Sequence, residues 1–208
     1  ARAIEISTQE PPGPVHLDLP EDVALAEALE NRSTATAVVV LEDLSREVAS
    51  AIADALNNAK RPLLITGLSF TRSTASQYLL HFVERQNLPF VTTLHGKGFL
   101  PESHANSAGV IGRARRSDVK KFTDRADLII AVGYDPIEIN YEEWVKPGTP
   151  IVHLSTEAAE SGNGLNLIWN KACNLDAAIR ATSATPAAAN DWSTRDFHAH
   201  RDVWDKAL

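Results

Sequence analysis

Apolar positions recur along the chain with two different periods. From about residue 41, Leu44, Val48, Ile52 and Leu56 return every four residues and lie on one helical face, with Glu47, Asp54 and Asn57 turned away. That spacing predicts a helix. The following Pro62-Leu63-Leu64-Ile65-Thr66-Gly67 is a short continuous apolar run ended by glycine, the pattern of a strand covered on both faces. Helix and strand signals then alternate. Thr71 or Ser73 can cap a helix carrying Ala75, Leu79, Phe82 and Val83, and Phe90-Val91-Thr92-Thr93 reads as a strand. Ser117 can cap a helix through Phe122, and Asp127-Leu128-Ile129-Ile130-Ala131-Val132-Gly133 is the strongest strand signal in the chain. A last strand at 150–154 and a last helix at 175–181 complete the series. Fully apolar strands alternating with helices imply right-handed crossovers and a parallel sheet between two helical layers. The expected fold is a doubly wound, Rossmann-like α/β domain.

The ends follow neither period. Residues 1–24 hold two short alternating stretches, Ile4-Glu5-Ile6 and Val15-His16-Leu17-Asp18-Leu19, broken by Pro11-Pro12-Gly13-Pro14 and closed by Pro20, which predicts isolated strands or extended chain. Residues 25–37 are mostly Ala, Glu, Asn, Ser and Thr, a composition that suits a linker. After residue 182 the chain turns to Ala, Thr, Ser, Pro and Asn through Asn190, and from Trp192 onward it offers polar, aromatic-containing helical turns with no domain to pack on.

Composition narrows the class. Of 208 residues, 44% are apolar and 23% charged, which excludes a wholly disordered, collagen-like or coiled-coil chain. The formal net charge of -7 matches poorly with the phosphates of nucleic acid or with anionic lipid, so neither is expected as a partner. Cys173 is the single cysteine and can form no internal disulfide, and no apolar run approaches the roughly 20 residues of a membrane span. A reducing, cytoplasmic setting is expected. The chain starts at Ala1, contains no Met and shows no leader pattern, so it reads as a piece of a longer protein.

In a doubly wound sheet, ligands bind at the carboxyl ends of the strands near the point where strand order reverses. The candidate loops are therefore 67–73, 93–98, 133–136 and 154–157. The first can cradle a phosphate with backbone N–H groups, Arg72 adding charge, but it lacks the Gly-x-Gly-x-x-Gly spacing and also reads as a plain strand-to-helix turn. Leu94-His95-Gly96-Lys97-Gly98 is a tight cationic turn, and Arg113, Arg115 and Arg116 form a basic cluster that fits a solvated face. The seven histidines (His16, His81, His95, His104, His153, His198 and His200) form no compact ligand pairing, Cys173 lacks a CxxC partner, and no Gly-x-Ser-x-Gly elbow is present. Gly67, Ser69, Thr71, Arg72, Gly133 and Ser155 remain as the candidate cofactor-binding residues, with no catalytic or metal residue assigned.

Several segments resemble a known family. Gly13-Pro14-Val15-His16-Leu17-Asp18-Leu19-Pro20-Glu21-Asp22-Val23 is similar to the closing strand of the pyrimidine-binding domain of thiamine-diphosphate-dependent enzymes of the acetolactate synthase and pyruvate oxidase type. Arg61-Pro62, Pro89-Phe90-Val91-Thr92-Thr93-Leu94-His95-Gly96-Lys97-Gly98, Pro101-Glu102-Ser103-His104, Ala126 through Gly133, and Ile151-Val152-His153-Leu154 resemble that family's central domain, in family order. Gly133-Tyr134-Asp135-Pro136-Ile137-Glu138 followed by Trp144 looks most like the catabolic acetolactate synthases, which do not need FAD.

The resemblance implies a six-stranded central domain over 41–182, preceded by the end of the pyrimidine-binding domain at 1–24 and a linker at 25–40, and followed at 183–208 by a linker toward a diphosphate-binding domain. It implies a parent that uses thiamine diphosphate and magnesium for carboligation or decarboxylation of pyruvate-type substrates, with the other domains of that parent and a dimer or tetramer as partners. The activating glutamate and the Gly-Asp-Gly motif belong to the other two domains and do not occur here, so the chain itself is expected to bind no thiamine diphosphate. The alternative is a module that holds FAD or ADP. FAD-binding relatives carry three glycines after the first strand, Gly-Ala-Arg-Phe after the strong strand and His-Ile-Asp at the last. Gly67-Leu68-Ser69, Gly133-Tyr134-Asp135 and His153-Leu154-Ser155 stand in those places and argue against FAD.

Overall fold

The computed structural model describes residues 2–10, 12–27, 40–112, 116–139, 143–160 and 164–205. The chain divides into two compact units, Ala1–Leu41 and Glu42–Leu208. In the first, α1 spans Arg2–Thr8 and α2 spans Glu21–Leu25, and neither helix has a buried residue. The strand expected at Ile4-Glu5-Ile6 is thus a helix. Alternation of two isoleucines sets a strand only where a neighbouring strand exists to pair with, and here the Ser7 and Thr8 hydroxyls donate to the Ile4 carbonyl at 2.9 and 2.8 Å and close helical turns instead. Residues 12–20 form no regular element, and most of the expected linker lies outside the described residues.

The second unit runs α3 (Ser45–Asn58), β1 (Pro62–Thr66), α4 (Ser76–Arg85), β2 (Phe90–Thr93), β3 (Ser107–Ile111), α5 (Arg116–Thr123), β4 (Leu128–Val132), β5 (Pro150–Ser155), β6 (Asn166–Ala172), α6 (Leu175–Ser183) and α7 (Thr194–Asp205). Short 3-10 turns at Leu68–Arg72 and Pro136–Ile139 follow β1 and β4. The six strands form one sheet in the order β3-β2-β1-β4-β5-β6, every pair parallel. Order reverses between β1 and β4, so the crevice of this doubly wound sheet opens between the loops that follow those two strands.

Successive residues of β1 feed opposite layers. Leu64 joins Ile130, Val132, Val152 and Leu154 under α3, α4 and α6, whose Val48, Ile52, Leu79, Phe82 and Ile179 are fully buried. Leu63 and Ile65 join Val91, Ile129, Ala131 and Ile151 on the other face, under Val119 and Phe122 of α5. β1 and β4 are buried along their whole length, which is why their sequences show no polar alternation.

Two features depart from the sequence reading. β3 and β6 are edge strands that no apolar run announced. The tail expected to have nothing to pack on is built into the second layer: Trp192 and Phe197 are 4% and 3% exposed, and Trp192 stacks on Phe122 with ring centroids 5.0 Å apart. The indole Nε1–H donates to the Pro62 carbonyl at 2.7 Å, tying the tail to the start of β1. The side chain of Trp204, and Arg113 and Arg115 of the expected basic cluster, lie outside the described residues.

Candidate functional site

The carboxyl ends of β1, β2 and β4 meet at the switch point, and the chain there is packed against itself. Gly67 leaves β1 with its N–H donating to the Val132 carbonyl at 3.2 Å, and the Ser69 N–H donates to the Gly133 carbonyl at 2.9 Å. Gly133 has φ +61°, and a Cβ there would fall on the Phe70 backbone, 2.8 Å from its Cα. At Gly67 a Cβ would lie 2.6 Å from the Tyr134 Cα and 2.8 Å from the Gly133 carbonyl oxygen, and closer still to Oε1 of Glu138. Both positions therefore require glycine, one for its conformation and both for the closeness of the neighbouring loop.

The structure brings Gly67, Ser69 and Gly133 into direct contact. Thr71 is turned to its own loop, its hydroxyl donating to the Leu68 carbonyl at 2.6 Å, and the Arg72 guanidinium reaches the Ser69 hydroxyl at 3.3 Å. Ser155 ends β5, two strands from β1, and its carbonyl accepts from the Cys173 N–H at 3.0 Å. All six candidates thus have polar groups engaged by neighbouring backbone or by each other. A residue with no assigned role in the sequence reading occupies the centre instead: Glu138, at the end of the Gly-Tyr-Asp-Pro-x-Glu stretch, whose side chain is only 3% exposed. Its carboxylate accepts from the Leu68 N–H at 2.9 Å, the Asp135 N–H at 3.0 Å and the Thr93 hydroxyl at 2.6 Å. An acidic residue five positions after the glycine that ends the strongest strand was the available signal.

Around this centre the rim mixes the exposed His95 and Lys97 with large apolar side chains. Leu68, Leu94, Phe99 and Ile137 are exposed on the loops that follow β1, β2 and β4. A separate cavity of about 770 Å³ runs beside Tyr134, Trp144, Lys146, Ile151 and Asn166, and no candidate residue of the sequence reading lines it.

The model of the family described as "Thiamine pyrophosphate enzyme, central domain" matches residues 49–169. The chain belongs to this family, as its central domain. A probable acetolactate synthase large subunit of Methanococcus aeolicus is 30% identical over 175 residues, covering 79% of this chain and 29% of the relative. The acetolactate synthase isozyme 1 large subunit of Escherichia coli is 30% identical over 163 residues, covering 77% and 29%, and the oxalyl-CoA decarboxylase of the same organism is 36% identical over 140 residues, covering 64% and 23%. This chain therefore spans less than a third of the length of these curated relatives. Among solved structures, an enzyme of Mycobacterium smegmatis described as thiamin diphosphate-dependent superposes with a TM-score of 0.65 at 20% identity, over 91% of this chain and 37% of that one, and so shares the fold.

Thiamine diphosphate is held through a magnesium ion on its diphosphate, and among the described residues no group of three or more His, Cys, Asp or Glu could hold a metal ion. The remaining chemical candidates are engaged in the fold: His153, 1% exposed, has Nε2 2.7 Å from the Tyr134 carbonyl and Nδ1 2.9 Å from Asn170 Oδ1. Burial pushes the Cys173 thiol up to about 11, so at neutral pH it is a protonated packing group rather than a nucleophile. No helix among the described residues is long and apolar enough to cross a membrane.

Proposed function

We propose that this domain braces a larger cytoplasmic enzyme, acetolactate synthase-like in its carboligation or decarboxylation of pyruvate-type 2-oxo acids, whose thiamine diphosphate and magnesium are held by its other domains. The observation that carries the bracing role is the closed crevice: the loops after β1 and β4 touch at Gly67, Phe70 and Gly133, leaving a dinucleotide's pyrophosphate no backbone to approach. The similarity to acetolactate synthase large subunits supports the reaction class, and the exposed apolar side chains of Leu68, Leu94, Phe99 and Ile137 suit coverage by the parent's other domains or by a second copy in a dimer or tetramer. Adenine nucleotide at Gly67, Ser69, Thr71, Arg72, Gly133 and Ser155 is the lesser reading, since Thr71, Arg72 and Ser69 already bond within their own turn.

Titration calorimetry with thiamine diphosphate and magnesium is expected to show no saturable heat, and FAD or ADP is expected to leave the melting temperature unchanged. Micromolar binding of thiamine diphosphate would overturn the assignment of the cofactor to the other domains. A rise of several degrees with FAD or ADP, abolished by Arg72→Ala, would replace the brace with a nucleotide module.

A further inference from the structure

At the switch point of a doubly wound sheet, strand-end N–H groups usually face a ligand anion. Here they face Glu138. The carboxylate oxygen Oε1 takes two backbone N–H groups, of Leu68 after β1 and Asp135 after β4, while Oε2 takes the hydroxyl of Thr93 at the end of β2 and lies 3.4 Å from Nδ1 of His95. Donors from three loops converge on one buried anion, and the close approach is possible because Gly67 has no side chain at the point where Oε1 rests. Burying a carboxylate is costly unless hydrogen bonds replace its water. This one has three at 3.0 Å or less, the arrangement of a receptor and not of a charge that happens to be covered.

We propose that the crevice is a carboxylate receptor occupied by the chain's own Glu138, and that with this side chain removed it binds a small free carboxylate in the same place. The purpose assigned to it rests on the bracing role: a site that is filled from within holds the three loops together with no nucleotide. Glu138→Ala deletes Cγ and the carboxyl group, which is the size of an acetate ion, and leaves the Leu68 and Asp135 N–H groups and the Thr93 hydroxyl without their acceptor.

The test is thermal unfolding of the wild-type chain, Glu138→Ala and Glu138→Gln, titrated with sodium acetate against sodium chloride at equal ionic strength and neutral pH. The alanine variant is expected to melt several degrees lower and to recover saturably with acetate, by about 3 °C at roughly ten times the dissociation constant. The wild type and the glutamine variant, whose crevice stays filled, are expected to respond to acetate no more than to chloride. Equal responses of the alanine variant to the two salts, or acetate stabilisation of the wild type as large as that of the variant, would overturn the proposal. Should the alanine variant be unfolded in chloride, the same titration is read as return of the folded circular-dichroism signal, and no return with acetate overturns it equally. Failure of the bracing role is read elsewhere, in the wild type with FAD or ADP.

Discussion

Asp196 shows how one side chain can organise a helix start and a tertiary contact together. Ser193 precedes α7 and Asp196 is its third residue. The Ser193 N–H and hydroxyl both donate to Asp196 Oδ2, at 2.9 and 2.6 Å, and the Ser193 hydroxyl lies 3.3 Å from the Asp196 N–H, so the pair forms a reciprocal cap. Oδ1 receives the Arg125 guanidinium, which also lies over the Trp192 ring with its carbon 5.0 Å from the centroid. Ser193 foremost, with Arg125, holds the Asp196 carboxyl down at about 2 although burial works the other way. Because the folded value lies below the unfolded value of about 4, the stabilisation is complete above pH 4 and is lost as pH falls from about 4 toward 2. Discounted for partial exposure, it amounts to about 1–2 kcal/mol. Asp196→Asn is expected to lower stability by that amount at pH 7 and to flatten the urea midpoint between pH 4 and pH 2; an unchanged acid limb would show that other carboxylates carry it.

At the level of elements, Gln86 does for the tail what a strand would do for another strand. Its side chain donates from Nε2 to the Thr185 and Pro186 carbonyls at 3.2 and 2.8 Å and accepts from the Ala188 N–H at 2.8 Å, while its own carbonyl accepts from Asn190 Nδ2 at 2.7 Å. Gln86→Leu strands those buried groups and is expected to cost about 2–4 kcal/mol in equilibrium urea unfolding; a loss under about 0.5 kcal/mol would mean the tail holds without it. This explains what the sequence could not show. β1, β4 and α3 were legible because burial on two faces or one stripe writes itself into composition, whereas the Ala, Thr and Pro of 183–190 look like a linker when the partner that binds their backbone is a glutamine 100 residues earlier. β6 was hidden for a related reason: an edge strand buries little, as in Asn166–Ala172, where no residue is fully buried; β3 does bury Ala108 and Ile111, but Gly109 between them breaks the apolar run. Among the site residues, the glycines at 67 and 133 were readable from their places at strand ends, but Glu138 was not, since its role depends on Leu68 and Thr93 arriving from other loops.

The two helical layers define how much chain the domain needs. Among the described residues, both cores draw on the chain from Leu44 to Phe197, and the second layer closes with Trp192 and Phe197 in addition to α5. A boundary at residue 182, natural from composition, therefore cuts through the core. Losing a buried Trp or Phe costs about 3–5 kcal/mol each, and the Trp192 indole also satisfies the Pro62 carbonyl at the head of β1. Against a total stability of about 5–15 kcal/mol, deletion of 184–208 removes two large buried aromatics, Trp192 and Phe197, from that face, a loss comparable with the whole stability. A chain of residues 42–208 is expected to unfold cooperatively with a midpoint close to that of the 208-residue chain, since both cores, as far as the described residues form them, lie within it. A chain of 42–183 is expected to unfold at a much lower denaturant concentration, with dye-accessible apolar surface, and Trp192→Ala in the longer chain to fall between them. Cooperative unfolding of 42–183 at the parental midpoint would show that α7 and the segment leading to it only decorate the fold.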